Sequence, residues 1–198
     1  MKRQDKKFDL VVVGGGHAGI EAALIAHKRG VKTLLISMDK NSVGRTSCNP
    51  AVGGLAKGQM VKEVDVLGGM MGAFADLSTL QSKTLNKSKG RSVWSPRSQI
   101  DKNLYEKIAQ GYIKKVGLEV LEAEVVSLYI KNNSILGVFL RDKTKIGCSS
   151  VVLTCGTFLN GLIHIGKEQI MAGRYGEKRS EGITENLNSL GLVSGRLK

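Results

Sequence analysis

Phe8-Asp9-Leu10-Val11-Val12-Val13 runs without a break into Gly14-Gly15-Gly16-His17-Ala18-Gly19, and this stretch decides the fold. The short apolar, β-branched run has the signature of a buried parallel strand. Ile20, Ala23, Leu24 and His27 then recur at helical spacing, with Gly30 as the stop. Val31 to Ser37 reads as a second strand, which completes a βαβ unit over residues 8–37. Gly14-x-Gly16-x-x-Gly19, set between strand and helix, is the context a dinucleotide fingerprint demands. Gly14 allows the tight turn, Gly16 lets backbone approach a pyrophosphate at the helix N-terminus, and Gly19 lets helix and strand pack closely. A purely structural glycine-rich turn is the alternative. The ribose-binding acid expected roughly 20 residues further on is missing: Ser37 closes the second strand and Asp39 follows two positions later. This element alone therefore does not name the dinucleotide.

Working outward, residues 38–97 form a glycine- and methionine-rich insertion, read as a loop to Pro50 and a helix from about Gly54 to Leu67. Ser98 is predicted to open a helix, with Asp101 three residues on as in a capping box. Ile100, Leu104, Ile108, Tyr112 and Val116 form its apolar stripe and Gly117 its end. Strands are expected at Leu118–Leu121, Val125–Ile130 and Ile135–Leu140, the last two joined by the turn Lys131-Asn132-Asn133-Ser134. Val151-Val152-Leu153 is a further apolar strand that runs into Thr154-Cys155-Gly156-Thr157. A return strand of this kind, after a three-strand excursion, resembles at the level of architecture the element with which two-dinucleotide flavoproteins make a second contact with FAD. The expected fold is α/β, a Rossmann-like, two-dinucleotide-binding flavoprotein fold with an inserted three-strand β excursion. Residues 98–157 would carry helix, excursion and return strand, and 158–198 a loop leading onward.

Composition sets the remaining bounds. The 198 residues carry 30 Lys and Arg against 17 Asp and Glu, a net charge of +13, with 41% hydrophobic residues. That describes a soluble globular chain with one core. No apolar run approaches the ~20 residues of a bilayer span. The basic start Met1-Lys2-Arg3-Gln4-Asp5-Lys6-Lys7 lacks the apolar segment of a signal peptide, so a cytoplasmic protein is expected. Twenty-five glycines beside only 2 prolines place backbone close to something. An aromatic share of 5% argues against a stacking platform for single-stranded nucleic acid. Cys48, Cys148 and Cys155 form no Cys-x-x-Cys pair, which fits neither a disulfide framework nor zinc. Lys83, Lys87, Lys89, Arg91, Arg97, Lys102, Lys107, Lys114 and Lys115 are opposed only by Asp101 and Glu106. Such clustering is either a solvated face or the footprint of a polyanion.

Ser47-Cys48-Asn49-Pro50-Ala51-Val52-Gly53-Gly54 is the most unusual stretch. Pro50 biases Asn49 toward extended backbone, and glycines starting a helix would favour a thiolate at Cys48. The plainer reading is an inert thiol; no second thiol or base is near in sequence. His27 reads as a packing residue and His17 as part of the turn. His164 stands apart from both.

Taken together, residues 9–19, 47–54, Val61-Lys62-Glu63-Val64-Asp65, Leu85-Asn86-Lys87-Ser88-Lys89-Gly90, Val151–Thr154, Gly156–Leu159 and Gly195-Arg196-Leu197-Lys198 resemble the MnmG family, also called glucose-inhibited division protein A. The resemblance implies a flavoprotein that modifies the wobble uridine of tRNA together with the GTPase MnmE. An aminomethyl or carboxymethylaminomethyl group is added at uracil carbon 5, with FAD and NADH for the redox chemistry and a folate for the carbon unit. It implies FAD contacts at Gly14, Gly15, Gly16, His17, Ala18, Gly19, Val125 and Ser180, an activity-linked cysteine at Cys48, no metal, and a homodimer that forms a heterotetramer with MnmE. Family members are roughly three times longer. The chain is therefore expected to be an N-terminal piece, from a truncated, split or frameshifted gene, without the NADH site and unable to catalyse the full reaction alone. Arg91-Ser92-Val93-Trp94 departs from the family's usual Pro-Ala-Val stretch. A small-molecule flavin dehydrogenase and a non-catalytic remnant are the competing readings.

Overall fold

Strand β1 (Lys7–Val13), helix α1 (His17–Lys28) and strand β2 (Thr33–Ser37) form the opening βαβ unit. The computed structural model describes residues 7–195, so the basic start at 1–6 and the terminal Arg196-Leu197-Lys198 lie outside the described residues. β1 and β2 pair in parallel from Leu10↔Thr33 to Val13↔Ile36. The chain continues through β3 (Ala51–Gly53), α2 (Lys57–Val66), α3 (Met71–Leu77), β4 (Thr79–Leu85), β5 (Ser95–Ile100), α4 (Lys102–Val116) and β6 (Glu119–Glu122). Then follow β7 (Val125–Lys131), β8 (Ser134–Leu140), β9 (Lys145–Leu153), a small hairpin of β10 (Ile163–Ile165) and β11 (Glu168–Ile170), and α5 (Ile183–Ser189).

The main sheet has the order β6-β2-β1-β9-β8-β7. β6, β2, β1 and β9 run parallel, as a βαβ-built sheet requires. The segment at 118–121 thus belongs to the parallel sheet, and the three-strand excursion consists of β7, β8 and the first part of β9, joined antiparallel. Asn132 and Asn133, both at positive φ (51° and 56°), make the two-residue turn between β7 and β8. β9 serves both sheets halves: up to Gly147 it pairs with β8, and from Lys7↔Gly147 onward with β1.

Each sheet face buries its own cluster. Val12, Leu35, Ile20, Ala23 and Leu24 pack with Phe74, Tyr105, Ala109 and Ile113 on the side of α1 and α4. Val11, Val13, Leu34 and Ile36 pack with Val125, Val138, Leu140 and Ile183 on the side of α5. Burying such side chains stabilises by about 1.5–3 kcal/mol each.

Two expectations, one in the insertion and one at its end, need correction. Ser98 does not open a helix. It lies in β5, paired with Val52 and Ser82, and Asp101 is the cap, its carboxylate accepting from the Asn103 and Leu104 amides at 2.8 and 3.0 Å. Once the helix starts at Lys102, its fully buried line is Tyr105, Ala109 and Ile113, while Leu104 turns to solvent. Gly117, at φ 76°, ends it as expected. The helix expected over 54–67 is α2, which begins only at Lys57 because Ala51–Gly53 forms β3 on the edge of β5. α3, β4, the β10–β11 hairpin and α5 are not among the expected elements, the last two lying where a loop is expected over 158–198; β4 is polar and largely exposed.

Candidate functional site: a cleft at the ends of the parallel strands

The turn after β1 is built by close approach. Gly14 sits at φ 112°, and a Cβ there would come within 2.5 Å of the Thr154 carbonyl on the neighbouring strand end. A Cβ on Gly19 would collide with the Gly14 carbonyl and stand 2.7 Å from Thr154 Oγ1. At Gly16 no atom lies within 4 Å of the corresponding position. Gly16 also caps α1 without any side-chain bond, and no acid occupies the first turn. The first amides of α1 are thus left open, and with them the positive end of the helix dipole.

A cavity of about 410 Å³ lies over this turn, within the size range of small-molecule and cofactor sites. Gly14, Gly15 and Gly16 form its floor, Ser37, Met38 and Asp39 one end, and Val125, Thr154–Phe158 and Ser180 further walls. Five of the residues expected to contact FAD, namely Gly14, Gly15, Gly16, Val125 and Ser180, therefore meet around one space. His17, Ala18 and Gly19 stand behind the floor rather than on the wall. Val125 and Ser180 are buried; Ser180 is tied by its amide to Phe158 O at 2.9 Å and accepts at its carbonyl from Asn160 N at 2.8 Å.

Four charged residues on this wall, Arg45, Arg174, Glu177 and Lys178, escaped the sequence. Arg45 bonds Glu177 at 3.2 Å and Glu106 at 3.5 Å, while Arg174 approaches Glu177 at 3.8 Å and lies over the Phe158 ring at 5.0 Å. Glu177 thereby joins the loop after β2 to the loop before α5 across the cleft. No spacing signal links residues so far apart in the chain. At the β2 end of the cavity, Ser37 Oγ donates to Asp39 O at 2.9 Å, and Asp39 accepts from Asn41 N at 2.8 Å.

His17 is not among the residues that line the cavity; its ring meets Tyr105 edge-on at 5.5 Å, with Nδ1 3.5 Å from the phenol oxygen. Burial, then Lys57 and Arg174, lower its pKa from 6.5 to about 4, so the ring is neutral near pH 7. Burial likewise pushes Cys148 and Cys155 up to about 11, and Cys155 is an inert thiol on the cavity wall. His27 is satisfied by packing, its Nε2 2.9 Å from Val116 O.

Cys48 is elsewhere. It is exposed on the loop before β3, outside the cavity lining, with Lys102 Nζ donating to its carbonyl at 3.2 Å. Because β3 intervenes before α2, no helix start adjoins the thiol in sequence. No group of three His, Cys, Asp or Glu suited to a metal occurs among the described residues, and no helix among them is long and apolar enough to cross a membrane.

A family model described as "Glucose inhibited division protein A" matches residues 9–198. The tRNA uridine 5-carboxymethylaminomethyl modification enzyme MnmG of Karelsulcia muelleri is 48% identical over 194 residues, covering 98% of this chain and 32% of that protein. The same-named protein of Cytophaga hutchinsonii is 47% identical over 97% of this chain and 31% of its own length. The chain thus spans about a third of the length of these relatives. The crystal structure of Aquifex aeolicus GidA superposes with a TM-score of 0.91 at 44% identity, covering 94% of this chain and 31% of that one. Glycerol-3-phosphate dehydrogenase of Bacillus halodurans, solved with FAD, shares the fold at a TM-score of 0.52 and 20% identity, over 78% of this chain and 35% of that one.

Proposed function

The chain belongs to the glucose-inhibited division protein A family, and from that premise we propose that it is the FAD-binding part of an enzyme modifying the wobble uridine of tRNA. The observation that carries the cofactor reading is the open cradle at Gly16, with no neighbour within 4 Å, at the uncapped start of α1. Residues distant in sequence supply the rest of the wall.

The residues present fit a dinucleotide. The α1 amides beyond Gly16 face where a pyrophosphate needs donors. Ser37 and Asp39 stand at the ribose end without the usual acid at the strand terminus, so sugar hydroxyls would be met by the Asp39 carboxylate and the strand-end backbone. Val125 and Ser180 bound the opposite wall, and Glu177, clamped by Arg45 and Arg174, closes the side. His17, neutral and held against Tyr105, adds no competing charge to the helix start. Bound FAD would supply hydride chemistry, for which the protein contributes binding and orientation. The same reading makes NADH the reductant, held by residues outside this chain. The same reading makes the GTPase MnmE the partner and a homodimer, or a heterotetramer with MnmE, the working assembly. Exposed Cys48, with its thiol proton lost to solvent, would add its sulfur to uracil carbon 6; the C5=C6 pair would shift to an enolate that makes carbon 5 nucleophilic, and loss of the thiolate after carbon 5 has reacted would restore the double bond.

The test is a chimera in which this chain replaces the matching third of a full-length family member, expressed in cells lacking that gene. Mass analysis of tRNA hydrolysates should then recover the carboxymethylaminomethyl or aminomethyl uridine. A folded, FAD-loaded chimera that leaves the wobble uridine bare contradicts the proposal.

A further inference from the structure

We propose that the free end of the β4–β5 hairpin, from Lys83 to Arg97, is an RNA-docking surface in which the cations hold phosphates and Trp94 stacks on a base. The proposal rests on the tRNA reading above and goes beyond it by assigning the surface.

Of the nine cations clustered in sequence, Lys107 is exposed on α4 and the other eight separate into two sets. On α4, Lys114 and Lys115 occupy the last turn, where the helix dipole favours them, and Lys102 donates to Cys48 O. These lysines have local explanations. Lys83, Lys87, Lys89 and Arg97 have none, and Arg91 has only the Trp94 ring beside it. No acid lies between Asp76 and Asp101, and none of the five joins an ion pair among the described residues. Lys83 and Arg97 stand directly opposite each other across the antiparallel pair, an arrangement that costs stability unless an anion lies over it.

Trp94 stands among these charges 40% exposed. Its Nε1 donates to Lys87 O at 3.2 Å, the Arg91 guanidinium lies 5.7 Å from its ring, and Asn86 Nδ2 ties to Val93 O at 3.4 Å. The indole is thus anchored at one edge while part of its surface meets solvent. A fixed aromatic ringed by unpaired cations matches RNA loops, whose bases are splayed and whose backbone is anionic. An acidic protein would satisfy the charges but leave the indole without a role.

The chain has a single tryptophan, so Trp94 fluorescence reports on this surface alone. The full 198-residue chain is titrated with a tRNA anticodon stem-loop, and the anisotropy of the same RNA, end-labelled, is followed in parallel. The proposal requires saturable quenching at the anisotropy midpoint. Lys87→Gln/Lys89→Gln/Arg91→Gln should flatten the log–log salt dependence by about 2, whereas Lys107→Gln/Lys114→Gln/Lys115→Gln, with the same charge removed, should leave it alone. Trp94→Leu should weaken binding about 5- to 100-fold. Circular dichroism checks that each variant keeps its fold.

Binding seen by anisotropy with silent Trp94, or equal effects of the two triple variants, overturns the assignment while leaving the tRNA reading standing. Equal quenching by polyglutamate overturns the stacking role and favours an acidic protein. No RNA binding by either readout overturns the assignment, and if the chimera above still modifies tRNA, the wider reading survives it.

Discussion

Gly16→Ala and Gly19→Ala separate what the fold needs from what the ligand needs. A Cβ on Gly19 collides with the Gly14 carbonyl and sits 2.7 Å from Thr154 Oγ1. Neither partner is a flexible side-chain end: Gly14 is fixed at φ 112° by Gly14 N donating to Ile36 O at 2.8 Å, and Thr154 Oγ1 donates to Val13 O at 2.9 Å. Helix α1 must move off β1, so the cost should match or exceed the ~1–3 kcal/mol of an overpacked core. At Gly16 the methyl enters open space, and its φ of −73° suits alanine. The loss there should stay within about 1 kcal/mol, chiefly from a poorer cap residue. The same methyl, however, fills the gap through which backbone approaches a pyrophosphate. Urea denaturation together with FAD titration, followed by quenching of flavin fluorescence, reads both quantities. Gly19→Ala should lose stability and FAD binding together; Gly16→Ala should keep its stability and weaken FAD at least tenfold, about 1.4 kcal/mol. A stable Gly16→Ala chain that binds FAD like the parent would refute the pyrophosphate assignment.

Three further outcomes follow from other parts of the chain. His17 is lowered from 6.5 to about 4, so the unfolded chain binds its proton more readily; its stabilising effect is full above pH 6.5 and fades as pH falls toward 4. Urea midpoints should drop by the equivalent of about 2 kcal/mol between pH 7 and pH 5, and His17→Phe should abolish most of that drop. Glu124, held low chiefly by its hydrogen bond to Arg141, extends the acid loss below pH 4.5. Ala56 is held at φ 59°, ψ −50° with Lys57 N bonded to Leu55 O, a strained turn for any residue with a Cβ. Ala56→Gly should raise stability by about 1 kcal/mol, roughly 2–4 °C by calorimetry; an unchanged or lower midpoint speaks against strain there. Glu177→Gln breaks partly exposed ion pairs, so stability should move by less than about 1 kcal/mol. Stopped-flow release of FAD should nevertheless quicken about fivefold, because the two loops lose their bridge. Release at the parent rate would remove Glu177 from the closing wall.

The opening unit was legible because its signals are local: an apolar run, glycines that tolerate close approach, and a helix with its stop at Gly30. The β7–β8 hairpin was legible for the same reason, through Asn132-Asn133. The insertion was not. β3 has only three residues and β4 exposes most of its polar surface, so neither carries a period. Ser98 and Asp101 are both acceptable caps in isolation, and the pairing of Ser98 with Val52 and Ser82 decides between them. Likewise the glycines after Cys48 suggest a helix start, but Gly53 goes into β3 against Arg97. In the cleft, Gly14–Gly16 could be read directly. Val125 and Ser180 came only from the family resemblance, and Arg45, Arg174 and Glu177 came from neither, since only tertiary folding brings these loops together.

The central claim is that the cleft over Gly14–Gly16 holds FAD. Equilibrium dialysis of the purified chain against FAD, with Gly16→Ala alongside, tests it most directly. The account predicts saturation near one FAD per chain and marked weakening in the variant. A chain folded by circular dichroism that retains no FAD, or that binds it equally with and without the Gly16 substitution, would contradict it.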